Sequence, residues 1–160
     1  MGVRSEYRAQ KAEPLHAAST PARGDVAALP TPVKRFAETA RARGEAPRSV
    51  VLQQRGAIRA AQGKPWMTFA SEQVYAMEPP GFLWLARAQA APLVWIAAKD
   101  SFIHGAGNLH IRLFDLFKVA NARGPEIDQA AALRFWSEAL EYPEMVASPH
   151  GSARVAVLDR

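Results

Sequence analysis

From about Ser49 the chain turns to a side-chain period of two, in short runs cut by turn residues, and the alternation returns in 101–114. A side-chain period of two belongs to a strand with one covered face. SVVLQQRGAIRAA sets Leu52, Gly56 and Ile58 on one face and Gln53, Arg55 and Arg59 on the other. AQGK is a turn signal, and PWMTFASEQVYAM, rich in aromatic and β-branched residues, reads as the next strand. Pro79-Pro80-Gly81 forces a turn, after which FLWLARAQ aligns Phe82, Trp84 and Ala86. Pro92 interrupts, LVWIAAK reads as a strand, and Lys99-Asp100 reads as a tight turn. SFIHGAGNLHIRLF then alternates, with Gly107, Leu109, Ile111 and Leu113 opposite Asn108, His110 and Arg112. Links this short join antiparallel neighbours, because a parallel crossover needs a dozen or more residues. The pattern predicts a meander of about five strands.

The period changes on both sides of this block. In LPTPVKRFAETARARG, Thr31 and Pro32 suit a helix start, Val33, Phe36, Ala37 and Ala40 form an apolar stripe, and Gly44 suits a stop. EIDQAAALRFWSEALEY predicts a second helix over 126–142, with Ile127, Ala131, Phe135, Trp136, Ala139 and Leu140 on its apolar face and Tyr142-Pro143 ending it. SARVAVLDR reads as a strand with one apolar face. Residues 1–28 carry few large apolar side chains and are expected to form a disordered basic tail. The fold class is therefore α+β: one curved antiparallel sheet covered by one helix, with an N-terminal helix at an end and residues 29–160 as a single domain.

Composition removes several functions. There is no Cys, so disulfides, thiolate metal sites and Cys nucleophiles drop out. No apolar segment at the N-terminus resembles a signal peptide, and the longest uninterrupted apolar run, AAPLVWIAA at 90–98, falls far short of a membrane span. The chain is expected to be soluble and cytoplasmic. Residues 1–48 hold nine Lys/Arg and five Asp/Glu, whereas residues 49–160 hold eleven and ten, so the positive excess belongs to the N-terminal part. Its basic residues are neither clustered nor interleaved with aromatics, which argues for a solvated face and against a specific nucleic-acid surface.

Chemistry-bearing residues are sparse. His104 and His110 with Asp100 could form a metal set, but Gly105 and Gly107 break the strand parity, and no tightly spaced ligand pair occurs. No metal or cofactor is expected. In SPHGS, Ser148, His150 and Ser152 lack the strand–turn–helix setting of a nucleophile elbow. HGAG is followed by no helix that could cradle a phosphate. Glu138 and Glu141 have the spacing of an ordinary solvated helix face. The larger asset is aromatic. Trp66, Phe69, Tyr75 and Trp84, with Trp95, Phe135 and Trp136, are either core or the wall of an apolar pocket between sheet and helix.

Several motifs, in order, resemble an uncharacterised bacterial family with a domain of unknown function. They are LPTPVKRF at 29–36 (family LPxPVxRY), QRGAIRA, TFASEQVYAM, PPGFLWLAR, DSFIHGAGN (family DxYxxGxG) and GPEIDQAAALRFWSEALEYP (family GPELD). The resemblance spans residues 29–143 and implies recurring elements at Glu72, Gln73, Asp100, Gly105, Gly107, Glu126 and Glu138. His104 departs from the family pattern. Relatives continue with further strands, so the resemblance implies a C-terminally shortened member, incomplete there, with an edge strand that could self-associate. The strand–PP–strand–helix order is also similar to the bacterial lipoprotein-carrier fold, in which an open curved sheet under helices holds acyl chains. By that analogy the expected function is non-enzymatic binding of an apolar or lipid-like ligand. The alternatives are an enzyme using Glu72, Gln73 and Asp100, or an interaction or remnant protein with no ligand.

Overall fold

The computed structural model describes residues 2–18, 26–41 and 48–139. Six strands form one antiparallel sheet in sequence order: β1 (Ser49–Ile58), β2 (Met67–Ala76), β3 (Gly81–Ala91), β4 (Val94–Ile103), β5 (Ala106–Leu113) and β6 (Phe117–Ala122). Three helices accompany it: α1 (Val3–Ala17), α2 (Thr31–Arg41) and α3 (Pro125–Ala139). This is the expected α+β class with an open sheet.

The register sorts side chains into rows. One row runs Val50, Tyr75, Phe82, Phe102, Gly107 across five strands. Its aromatic members meet Phe135 of α3, with ring centroids 6.1 Å from Tyr75 and 5.8 Å from Phe102. The row ends in glycine because α3 crosses there. A Cβ at Gly107 would lie 2.5 Å from the Ile127 carbonyl oxygen. Pro125 opens α3, where its missing N–H costs nothing, and Asp128 accepts a hydrogen bond from the Gly107 amide at 2.7 Å.

The row three positions along the strands, Gln53, Glu72, Leu85, Lys99, His110, faces the other way. Here α1 lies across the sheet, with Val3 and Tyr7, one turn apart, both buried. The expected tail and single covering helix are thus corrected: residues 3–17 are helical, and two helices cover opposite faces. Low hydrophobicity misled because most of this interface is polar. Glu6, Gln10 and Lys11 find partners on the sheet rather than in water.

The turns also differ from expectation. Lys99 and Asp100 lie inside β4, and the reversal falls at His104-Gly105, whose φ angles of 51° and 78° suit a two-residue hairpin. SFIHGAGNLHIRLF is therefore the end of one strand and the whole of the next. β6 was not expected, since FKVANA has no clear alternation. It follows a turn in which Phe114 and Asp115 both have positive φ, and Leu116 N–H donates to the Leu113 carbonyl at 3.0 Å. Phe82 is fully buried, whereas Trp84, Leu109, Ile111 and Leu113, which share its face of the sheet, are half-buried. SARVAVLDR, SPHGS and Tyr142-Pro143 lie outside the described residues.

Candidate functional site

Helix α1 is fastened to the sheet at three polar points. At its start, the Val3 amide donates to Asp115 Oδ1 at 2.6 Å, so a carboxylate from the β5–β6 turn caps the helix. In the middle, the Glu6 carboxylate lies 3.3 Å from Lys99 Nζ and 3.1 Å from His110 Nδ1, and Lys99 also donates to Gln10 Oε1 at 2.8 Å. Burial pulls the Glu6 carboxyl upward, but the hydrogen bonds from His110 and Lys99 outweigh it and hold it below the usual range. Further along, Glu72 accepts from Lys11 Nζ at 2.5 Å, Tyr7 Oη at 2.6 Å and Gln53 Nε2 at 2.7 Å. The Lys11 and Tyr7 bonds keep the Glu72 carboxyl low. Burial and the carboxylate beside it push the Tyr7 hydroxyl well above the ordinary tyrosine range.

Beside this line of fastenings a cleft of about 890 Å³ opens between α1 and strands β1 to β3. Tyr7, Ala70 and Leu85 give it apolar surface. Arg4, Arg8 and Lys11, spaced one turn apart, line the helix wall. Arg55 and Arg87 stand on the sheet in register with Ala70, which separates them across the floor. Trp95 lies at one end beneath two guanidinium groups, Arg87 at 4.3 Å and Arg4 at 5.2 Å from the ring centre.

The opposite face holds a different polar group. Arg134 of α3 donates to Asp100 Oδ2 at 2.5 Å and to Glu138 Oε1 at 2.9 Å, and its guanidinium lies over Phe82 and Trp84. Gln73 Nε2 donates to Glu138 Oε2 at 2.9 Å.

Of the aromatic candidates, Tyr75 and Phe135 pack in the α3-side core, with Trp136 edge-on to Phe135 at 5.2 Å. Phe69 and Trp84 meet edge-on at 6.2 Å on the same face, and Trp84 Nε1 donates to Gln54 Oε1 at 3.1 Å. Trp95 is on the α1 face. Trp66 is 63% exposed near the β1–β2 turn, with Arg59 over its ring. The polar candidates divide as well. Glu72 joins α1, while Gln73 and Asp100 join α3, so the sheet stands between them. His104 occupies the hairpin turn, and His110 and Asp100 face opposite sides.

Sequence reasoning missed Arg4, Arg8, Lys11, Arg55, Arg87, Lys99 and Arg134. The spacing of Arg4, Arg8 and Lys11 was the available signal, since it places three cations on one helical face. The composition of 1–28 hid it.

Residues 19–151 match the model of a family of unknown function, DUF6544. The chain belongs to that family. No curated protein and no solved structure matches it. The DUF6544 match takes in the whole sheet and α3, whereas α1, which forms one wall of the cleft, precedes it. Among the described residues of this DUF6544 member, no helix is long and apolar enough to cross a membrane.

Proposed function

We propose that the protein binds, without turning over, a small lipid-like amphiphile in the cleft between α1 and β1–β3. The observation that carries this reading is the cleft itself. Its volume of about 890 Å³ suits a small ligand, and its lining joins apolar floor residues to a polar rim. The aromatic residues first considered for a pocket contribute mainly to packing on the α3 side, so the proposed site moves to the other face. A binding role suits the cleft better than acid–base chemistry. Its carboxylate, Glu72, is engaged by three donors and held low, which makes it a weak base. The absence of cysteine suits a reducing compartment, and we keep the cytoplasm as its setting.

The test uses 8-anilinonaphthalene-1-sulfonate, a fluorescent amphiphile, with the full chain. Binding is expected in a one-to-one complex and is expected to be blocked by Ala70→Trp, which fills the floor of the cleft from an exposed position. Binding unchanged in a folded Ala70→Trp variant would remove the cleft as the site.

A further inference from the structure

We infer that the cleft selects an amphiphile by a phosphate-class anionic head, bound between the arginines of α1 and those of β1 and β3. This rests on the cleft being the binding site.

The cleft gathers Arg4, Arg8, Lys11, Arg55 and Arg87 against a single carboxylate, Glu72. Lys11 is already committed to that carboxylate at 2.5 Å. None of the four arginines has a carboxylate partner among the described residues. Among the described residues, folding has therefore converged like charges that repel without a carboxylate beside each of the four arginines.

Two further observations show that the convergence is built. Arg4 and Arg87 come from elements far apart in sequence, yet both guanidiniums lie on the Trp95 ring, at 5.2 and 4.3 Å. The electron-rich ring holds the two cations near one another where a carboxylate would otherwise be needed. Arg55 and Arg87 share a register row with only Ala70 between them. Two strand spacings separate their backbones by about 10 Å, and the small side chain leaves the space between them open.

The residue type fits the charge. Each guanidinium presents a planar fork of donors that matches the oxygens of phosphate or carboxylate. Four such forks exceed what one carboxylate can satisfy, whereas a phosphate monoester offers three terminal oxygens and up to two negative charges. The apolar floor at Tyr7, Ala70 and Leu85 lies beside the arginines, so a chain attached to the phosphate would lie against it.

The experiment is calorimetric titration of the full chain with four probes below their micelle concentrations: decyl phosphate, decanoate, decyl maltoside and inorganic phosphate. Decyl phosphate is expected to bind most tightly, and more weakly as salt rises. Arg4→Gln/Arg8→Gln and, on the other wall, Arg55→Gln should each weaken it by about tenfold or more and leave decyl maltoside unaffected. All three positions are exposed and glutamine is a good helix former, so circular dichroism should show folded variants. If decyl maltoside binds as well as decyl phosphate and the substitutions change nothing, the anionic head is refuted while the amphiphile reading stands. Preference for decanoate over decyl phosphate would refute the phosphate class. If inorganic phosphate binds as tightly as decyl phosphate, the anion site is upheld and the lipid-like reading falls. Binding of none of the probes would overturn both.

Discussion

Lys99 of β4 and Glu6 of α1 face each other at 3.3 Å, and the lysine side chain is only 1% exposed while the glutamate keeps 21%. The pair is therefore asymmetric. Losing Glu6 strands a charge that water cannot reach, whereas losing Lys99 leaves a carboxylate that still touches solvent and His110. Glu6→Ala should cost about 3–5 kcal/mol and Lys99→Met about 1–3 kcal/mol. Urea unfolding of both variants checks the order. If α1 lifts away and wets Lys99, the loss will instead appear as fast amide exchange in Val3–Gln10. Equal effects from the two substitutions by either readout would contradict the asymmetry.

Phe135 is fully buried and contacts the rings of Tyr75, Phe102 and Trp136. Phe135→Ala should cost about 3–5 kcal/mol. Trp84, half-buried and held by Gln54, should lose less when truncated. Chemical denaturation that ranks Trp84→Ala as the more damaging would show that α3 contributes little to the core.

At Gly107, α3 passes close over β5. An added methyl would meet the Ile127 carbonyl oxygen at 2.5 Å and Ala131 Cβ at 3.0 Å. Gly107→Ala should destabilise by about 1–3 kcal/mol through overpacking. Gly105→Ala, where the new Cβ meets nothing but φ is +78°, should suffer from backbone strain alone. A rise in melting temperature for Gly107→Ala would disprove the contact.

The fastening of α1 has a limit at each end of the pH scale. Glu6 and Glu72 are held below the ordinary value of 4.5, so the unfolded chain takes up their protons first on acidification. Their contribution is present above pH 4.5 and is lost as pH falls through the folded values. Tyr7 is shifted upward, so the unfolded chain loses that proton first, and its contribution fades as pH rises beyond the ordinary 10.0. Urea midpoints across pH should fall on both sides. Glu72→Gln should flatten the acid side and Tyr7→Phe the alkaline side. An unchanged acid slope in Glu72→Gln would mean that Glu72 is not held charged by its partners.

The strands that were legible in the sequence are those whose faces meet different surroundings. Phe82, Trp84 and Ala86 alternate with Leu83, Leu85 and Arg87 because α3 covers one set and α1 with its cleft meets the other. The helix over Pro125–Ala139 was legible for the same reason. Lys99 misled because a charged pair beside aspartate imitates a turn, and only tertiary partners on α1 make a lysine acceptable at that depth. The cleft was illegible for a related reason. Its cations lie on α1, β1 and β3, and no local pattern tells that Arg4 and Arg87 meet over Trp95. The sequence-based pocket followed aromatic content, which marks where the sheet packs against α3.

The capping of α1 by Asp115 carries a consequence for how the chain is assembled. The strands pair with sequence neighbours, so each hairpin can close over a short loop. Helix α1 instead waits for residues 61 to 112 positions away: Glu72, Lys99, His110 and Asp115. During synthesis its binding surface is completed only when the β5–β6 turn leaves the ribosome, about a hundred residues after the helix itself. Helix α1 is thus made well before the surface it docks on is complete. In stopped-flow refolding, substitution of Asp115 should leave the rate of sheet formation unchanged and speed the release of α1.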